Sequence, residues 1–112
     1  MSRHDDLVRM RHMLDHAREA AALVSGKSRS QLDSDRVLSL ALVRLMEIIG
    51  EAASRVSECS RRRHSDIPWP AIVSLRNRLI HAYDAVDMDI LWQIIQDDIP
   101  SSILELQRAV SA

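Results

Sequence analysis

The stretch Arg76-Asn77-Arg78-Leu79-Ile80-His81-Ala82-Tyr83-Asp84 brings cations, an amide, an imidazole, a phenol and a carboxylate together within nine residues. A guanidinium grips the oxygens of a phosphate bidentately and an imidazole exchanges a proton near neutral pH, so Arg76 with His81 suits chemistry on a phosphate ester. Read as a helix, the stretch puts Asn77 and His81 four apart on one face, Arg76 and Ile80 on the adjacent stripe, and Tyr83 and Asp84 at the helix end. The same residues also fit an ordinary helix C-terminus, where Arg and His offset the macrodipole and Tyr caps the core. Composition alone favours that plainer reading.

The scaffold that must hold these groups is short of turns and of aromatic residues. With 112 residues and 46% hydrophobic content, the chain supports one domain over residues 1–112 with its own core. Two Gly, three Pro, no Phe and only Trp69, Trp92 and Tyr83 as aromatics argue against a sandwich or barrel. An all-α, up-and-down bundle of four to five helices is expected. Fifteen basic and sixteen acidic side chains leave a net charge of −1, so no global field draws in a polyanion and any nucleic-acid affinity is local. The lone Cys59 forms no internal disulfide, and the lack of an apolar run of signal or membrane-spanning length makes the cytoplasm the expected location.

Apolar residues at three and four spacing from Asp5 to about Val24 predict a first helix, ended by Gly26. His12-Met13-Leu14-Asp15-His16 echoes an inverted zinc-peptidase spacing, but Asp reaches less far than Glu and no third ligand is evident, so solvent-facing histidines are the preferred reading. A short helical turn is expected around Ser30-Gln31-Leu32. Asp33 or Ser34 then caps a second helix running to about Ser57. That helix is apolar well beyond one stripe, which predicts burial on two sides, one of them against a second copy of the chain with Leu42 facing outward. Gly50 within it needs a packing reason, such as close approach of another helix. Glu51 fits either an ion pair with Arg55 or orientation of the arginine in the 76–84 stretch. Glu58 to Trp69 reads as the longest polar connection, and its Arg61-Arg62-Arg63-His64 run is more often a solvated loop than a phosphate guide. Pro70 is placed to start a third helix at its first position, with Trp69 as a core anchor. Asp87 caps a fourth helix, which Pro100 kinks or restarts.

Ile49-Gly50-Glu51-Ala52, Ile67-Pro68-Trp69, Arg76-Asn77 through His81-Ala82-Tyr83, and Val86-Asp87 through Trp92 together resemble the HepT-like branch of the HEPN ribonuclease superfamily over most of the chain. The defining element is an arginine, a polar residue beside it, a histidine five positions after the arginine and a tyrosine two further on. Arg76, Asn77, His81 and Tyr83 match each place. Leu32 stands where Phe is common in the family. The resemblance implies an all-α homodimeric toxin of a toxin–antitoxin pair, a metal-independent RNase needing no cofactor. Its implied partner is a minimal nucleotidyltransferase antitoxin that transfers AMP to Tyr83.

Metal-free RNA cleavage needs a base for the 2′-hydroxyl, an acid for the 5′-oxygen and positive charge for the pentavalent phosphorane. One protomer carries one motif imidazole, so two motifs in a shared dimer cleft would supply His81 and Arg76 twice. On this reading His81 transfers protons, Arg76 holds phosphate charge, Asn77 orients, and Glu51 supports from behind. The residues also fit a different class: an idle helical subunit that binds a nucleotide or docks the nucleotidyltransferase.

Overall fold

The computed structural model describes residues 2–82 and 85–111. Its described residues are mostly helical, with short connections and one two-stranded β ribbon, the all-α class expected from composition. Helix α1 (Arg3–Val24) starts in a reciprocal cap, with Ser2 Oγ accepting from Asp5 N at 3.1 Å and the Asp5 carboxylate accepting from Ser2 N at 3.4 Å. It ends before Gly26, whose φ of 76° a side chain would resist. A short α2 (Ser30–Ser34) leads to α3 (Arg36–Ser54). The cap of α3 is Asp35, whose Oδ1 accepts from Leu38 N at 3.0 Å, and not Asp33 or Ser34.

Helix α3 stops at Ser54, a turn earlier than expected, because Ser57 caps a further helix, α4 (Glu58–Arg63). The supposed polar loop is therefore helical, and its basic run points in several directions. Arg61 donates to the Val56 and Ala53 carbonyls at 3.1 and 2.9 Å, closing the end of α3, and lies 5.8 Å from the Trp69 ring centre. Arg62 pairs with Glu58 at 2.6 Å.

Helix α1 packs between α3 and the C-terminal helix α8 (Ile99–Ser111), and the start of α1 meets the region after α3, so the long helices run antiparallel. Met10, Met13, Leu42, Met46, Ile49 and Leu106 are among the fully buried side chains that join them. Leu42 thus belongs to the core and not to an outward face. A helix one residue in register from a guess turns its stripe by about 100°, and with apolar residues nearly all round, α3 gives no sequence cue to that phase. Its outward apolar residues are Val37, 79% exposed, and Leu40, 54% exposed.

Pro68 precedes α5 (Trp69–Val73), so Pro70 sits at its second position. The expected third helix then breaks at Ser74, resumes as α6 (Leu75–Leu79), and gives way to a strand, β1 (Ile80–Ala82), paired antiparallel with β2 (Ala85–Val86). His81 is therefore on a strand, and the helical facing of Asn77 and His81 does not hold. Asp87 caps α7 (Met88–Gln93) by accepting from Asp89 N and Ile90 N, both at 3.0 Å. Between α7 and α8 the chain widens into a π turn over Ile94–Asp98, with Ile99 N bonding Ile94 O. Pro100 explains the site of that turn, since it has no N–H for the carbonyl four residues back and its ring crowds it. None of the described helices is long and apolar enough to cross a membrane.

Buried Asp6 ties α1 to α4. Its carboxylate accepts from Ser57 N at 2.9 Å and from the Ser57 and Ser60 hydroxyls, each at 2.6 Å. Burial pushes this carboxyl up, but the bonds from Ser57 and Ser60 outweigh it and leave its pKa below the ordinary carboxylate value. A depressed folded-state pKa contributes stability above the unfolded-state value, and that contribution is lost as pH falls through the folded value. We expect Asp6→Ala to cost about 2–4 kcal/mol at neutral pH, because three buried or half-buried donors lose a charged acceptor. Urea unfolding followed over pH should show the wild-type advantage shrinking only on the acid side.

Candidate active site

Leu75 and Leu79 are buried and fix the rotation of α6, which leaves Arg76 and Asn77 pointing outward and Arg78 sideways. The three polar residues of this turn have different surroundings. Arg78 Nη1 donates to Asp98 Oδ2 at 3.1 Å and reaches the Ala71 carbonyl at 3.5 Å, so it stitches the Ser74 break to the π turn. Arg76 is 71% exposed, and its Nε lies 4.0 Å from Glu47 Oε2. At that length the carboxylate attracts the guanidinium without fixing it by a hydrogen bond. The Asn77 side chain makes no hydrogen bond among the described residues. The chain therefore leaves one cation and one amide ready to meet a ligand at the last turn of α6. The strand of His81 follows directly.

Gly50 sets where that turn sits. A Cβ on residue 50 would lie 3.2 Å from the Ile72 carbonyl oxygen, 3.7 Å from that of Val73 and 3.9 Å from the Leu75 Cβ. Hydrogen at this position lets the α5–α6 break rest directly on α3, the packing reason that sequence reading asked for. With Leu75 opposite Gly50, the residue one turn back on α3 comes opposite Arg76. That residue is Glu47. Glu51, the expected support, instead accepts from Arg55 Nε at 2.9 Å, the ion-pair alternative. Sequence spacing missed Glu47 because nothing in it fixed the register between α3 and α6; the Gly50 contact does.

Glu47 also lines a groove of about 570 Å³ between α1 and α3, shared with Arg9, His12, Arg44, Ile48 and Glu51. Arg76 stands at its edge. Within α1, His16 Nδ1 is 2.6 Å from the His12 carbonyl oxygen, so that ring is engaged with backbone and the two imidazoles do not converge. Tyr83 and Asp84 lie outside the described residues, as does the side chain of His81.

A family model described as ribonuclease HepT-like matches residues 13–109. The chain belongs to the HepT-like ribonuclease family. A Thermococcus cleftensis protein named probable ribonuclease HepT is 42% identical over 67 residues, which are 60% of this chain and 61% of that relative, under two thirds of its length. A Caldanaerobacter subterraneus protein whose name marks it as a candidate RNase is 37% identical over 101 residues, 90% of this chain and 87% of its own. One from Methanocaldococcus jannaschii, similarly named, is 29% identical over 107 residues, 96% of this chain and 98% of its own. No solved structure matches the chain.

The two arginines of α6 should separate in a melting experiment on purified variants. Arg78→Ala removes a half-buried ion pair at the helix break and should cost about 1 kcal/mol, whereas Arg76→Ala should leave the melting temperature within error of wild type. Equal losses for both would assign Arg76 a structural role.

Proposed function

We propose that this HepT-like ribonuclease works as a homodimer and cuts RNA by attack of the RNA's own 2′-hydroxyl, as the toxin half of a cytoplasmic toxin–antitoxin pair. The observation that carries this reading is the exposed Arg76 beside Asn77 at the end of α6, loosely held by Glu47, on the turn that runs straight into the strand of His81. A base removes the 2′-hydroxyl proton, the 2′-oxygen bonds to phosphorus, and the 5′-oxygen departs with a proton, giving a 2′,3′-cyclic phosphate and a 5′-hydroxyl. His81 serves the proton transfers. Arg76 neutralises the phosphorane, where charge builds, and Asn77 orients the phosphate.

Two motifs in one cleft supply a base and an acid together, which makes the dimer part of the chemistry. Val37 and Leu40, exposed on α3, support such a contact, since burying them against a second copy removes apolar surface from water. In this proposal the partner is a minimal nucleotidyltransferase antitoxin, and Tyr83 is the acceptor of AMP. The added phosphodiester pairs with Arg76, because Arg78 is already committed to Asp98, and so occupies the place of the substrate phosphate.

One preparation tests the reading: the chain purified with and without its partner, weighed intact and incubated with RNA in EDTA. Chain made alone should cut RNA. Chain made with the partner should be heavier by AMP units and inert, with no gain in Tyr83→Phe. His81→Ala should lose about 10²- to 10⁴-fold in rate. Full activity in His81→Ala, or cleavage at a 2′-deoxy position, would overturn the mechanism; a chain that binds nucleotide or antitoxin without cutting is the docking subunit instead.

A further inference from the structure

A second hollow lies on the opposite side of α1 from the groove by Arg76. Arg3, Leu7 and Met10 line it and recur at four and three residues on one stripe, whereas the residues of α1 that line the first groove, Val8, Arg9 and His12 among them, occupy the other stripe. The remaining wall comes from the end of α4, as Arg63 and His64, and from Ala109 of α8. Two arginines and a histidine thus line one hollow together with the apolar Leu7, Met10 and Ala109, and among the described residues no carboxylate lines it. In a chain of net charge −1 this is a local concentration of positive charge.

Among the described residues, neither arginine of the hollow forms an ion pair. Arg3 and the His64 ring make no hydrogen bond or ion pair among the described residues, and Arg63 reaches only Cys59 Sγ at 3.9 Å. Asp6, beneath α4, is taken up by its bonds from Ser57 and Ser60. Next door, a smaller hollow shares Arg63, His64 and Ala109 and holds Asp66 and Glu105, the latter paired with Arg108 at 3.0 Å, so an anion is favoured on the Arg3 side. The backbone of His64 is anchored. The His64 carbonyl accepts from both Trp69 Nε1 and Ile67 N at 3.1 Å, and His64 N donates to Ser60 O at 3.0 Å.

We propose that this hollow binds a phosphomonoester, with its phosphate on Arg3, Arg63 and His64 and its body on the apolar floor. At about 260 Å³ the space is below the roughly 300–1,000 Å³ of ordinary small-molecule sites, which suits a phosphate carrying a sugar-sized group. Such a group is found on a free sugar phosphate and on the 5′ end of an RNA chain. The site is independent of the cleavage reading.

Proton–nitrogen correlation spectra of the full chain test it, with inorganic phosphate, ribose 5-phosphate, and a short fully 2′-O-methylated RNA with and without a 5′-phosphate as probes. Signals of Arg3, Arg63 and His64 should move. Ribose 5-phosphate should bind more tightly than phosphate, and Arg3→Gln with Arg63→Gln should weaken both by about tenfold or more. Both arginines are exposed, so that variant should melt as wild type does, and Arg18→Gln should bind normally. A gain for RNA on adding its 5′-phosphate assigns the chain end, and preference for the sugar phosphate assigns the free metabolite class. Absence of shifts at the three residues, or unchanged affinity in the double variant, overturns the proposal.

Discussion

The contact of Gly50 with the backbone of Ile72 and Val73 is the constraint on which the site depends. A helix pair normally keeps its axes 8–10 Å apart because side chains intervene. Here one side chain is missing where the opposing helix breaks, and carbonyl oxygens rest in the space. The break at Ser74 then redirects the chain, so that Leu75 and Leu79 return to the core and Arg76 is turned out beside Glu47. Were α5 and α6 one continuous helix, His81 would extend along the axis of that helix. Instead the chain enters a strand at Ile80, and the motif histidine is carried by a ribbon that begins one residue after buried Leu79.

Around this contact the arginines divide their labour. Arg61 closes the end of α3 against Trp69, and Arg78 clamps the α5–α6 break to the π turn beside Pro100. Each adds a donor to carbonyls at a point where helical hydrogen bonding is interrupted. Among the described residues, Arg76 has only the distant Glu47. A guanidinium 4.0 Å from a carboxylate is attracted by it while retaining donors for an incoming phosphate.

Much of the fold was legible in the sequence because helices announce themselves by period and punctuation. Gly26, Asp87 and the apolar spacing of α1 fall where they were expected, and Gly50 has the close neighbour its cost required. What sequence hid was phase and register. Leu42 was assigned to the outside because α3 is apolar nearly all round; the exposed residues prove to be Val37 and Leu40. Glu51 was left open between Arg55 and the motif arginine; it pairs with Arg55, and Glu47, one turn back, is the carboxylate near Arg76. The helix through His81 was extrapolated from period alone, and Leu79-Ile80 supports either period over so short a span. Arg76 and Asn77 were chosen by residue type, a choice that does not depend on helix phase, and both lie exposed on α6.

If Gly50 sets the position of the Arg76 turn, the smallest side chain at that position should separate catalysis from stability. Gly50→Ala gains about 1 kcal/mol of helix propensity, while its Cβ, 3.2 Å from the Ile72 carbonyl oxygen, pushes the break away by a few tenths of an ångström. The decisive measurement is kcat for RNA cleavage by Gly50→Ala beside its melting temperature. A fall of about tenfold or more in kcat with a melting temperature within a few degrees of wild type is the predicted result. Unchanged kcat would show that the turn is placed by something other than its contact with α3.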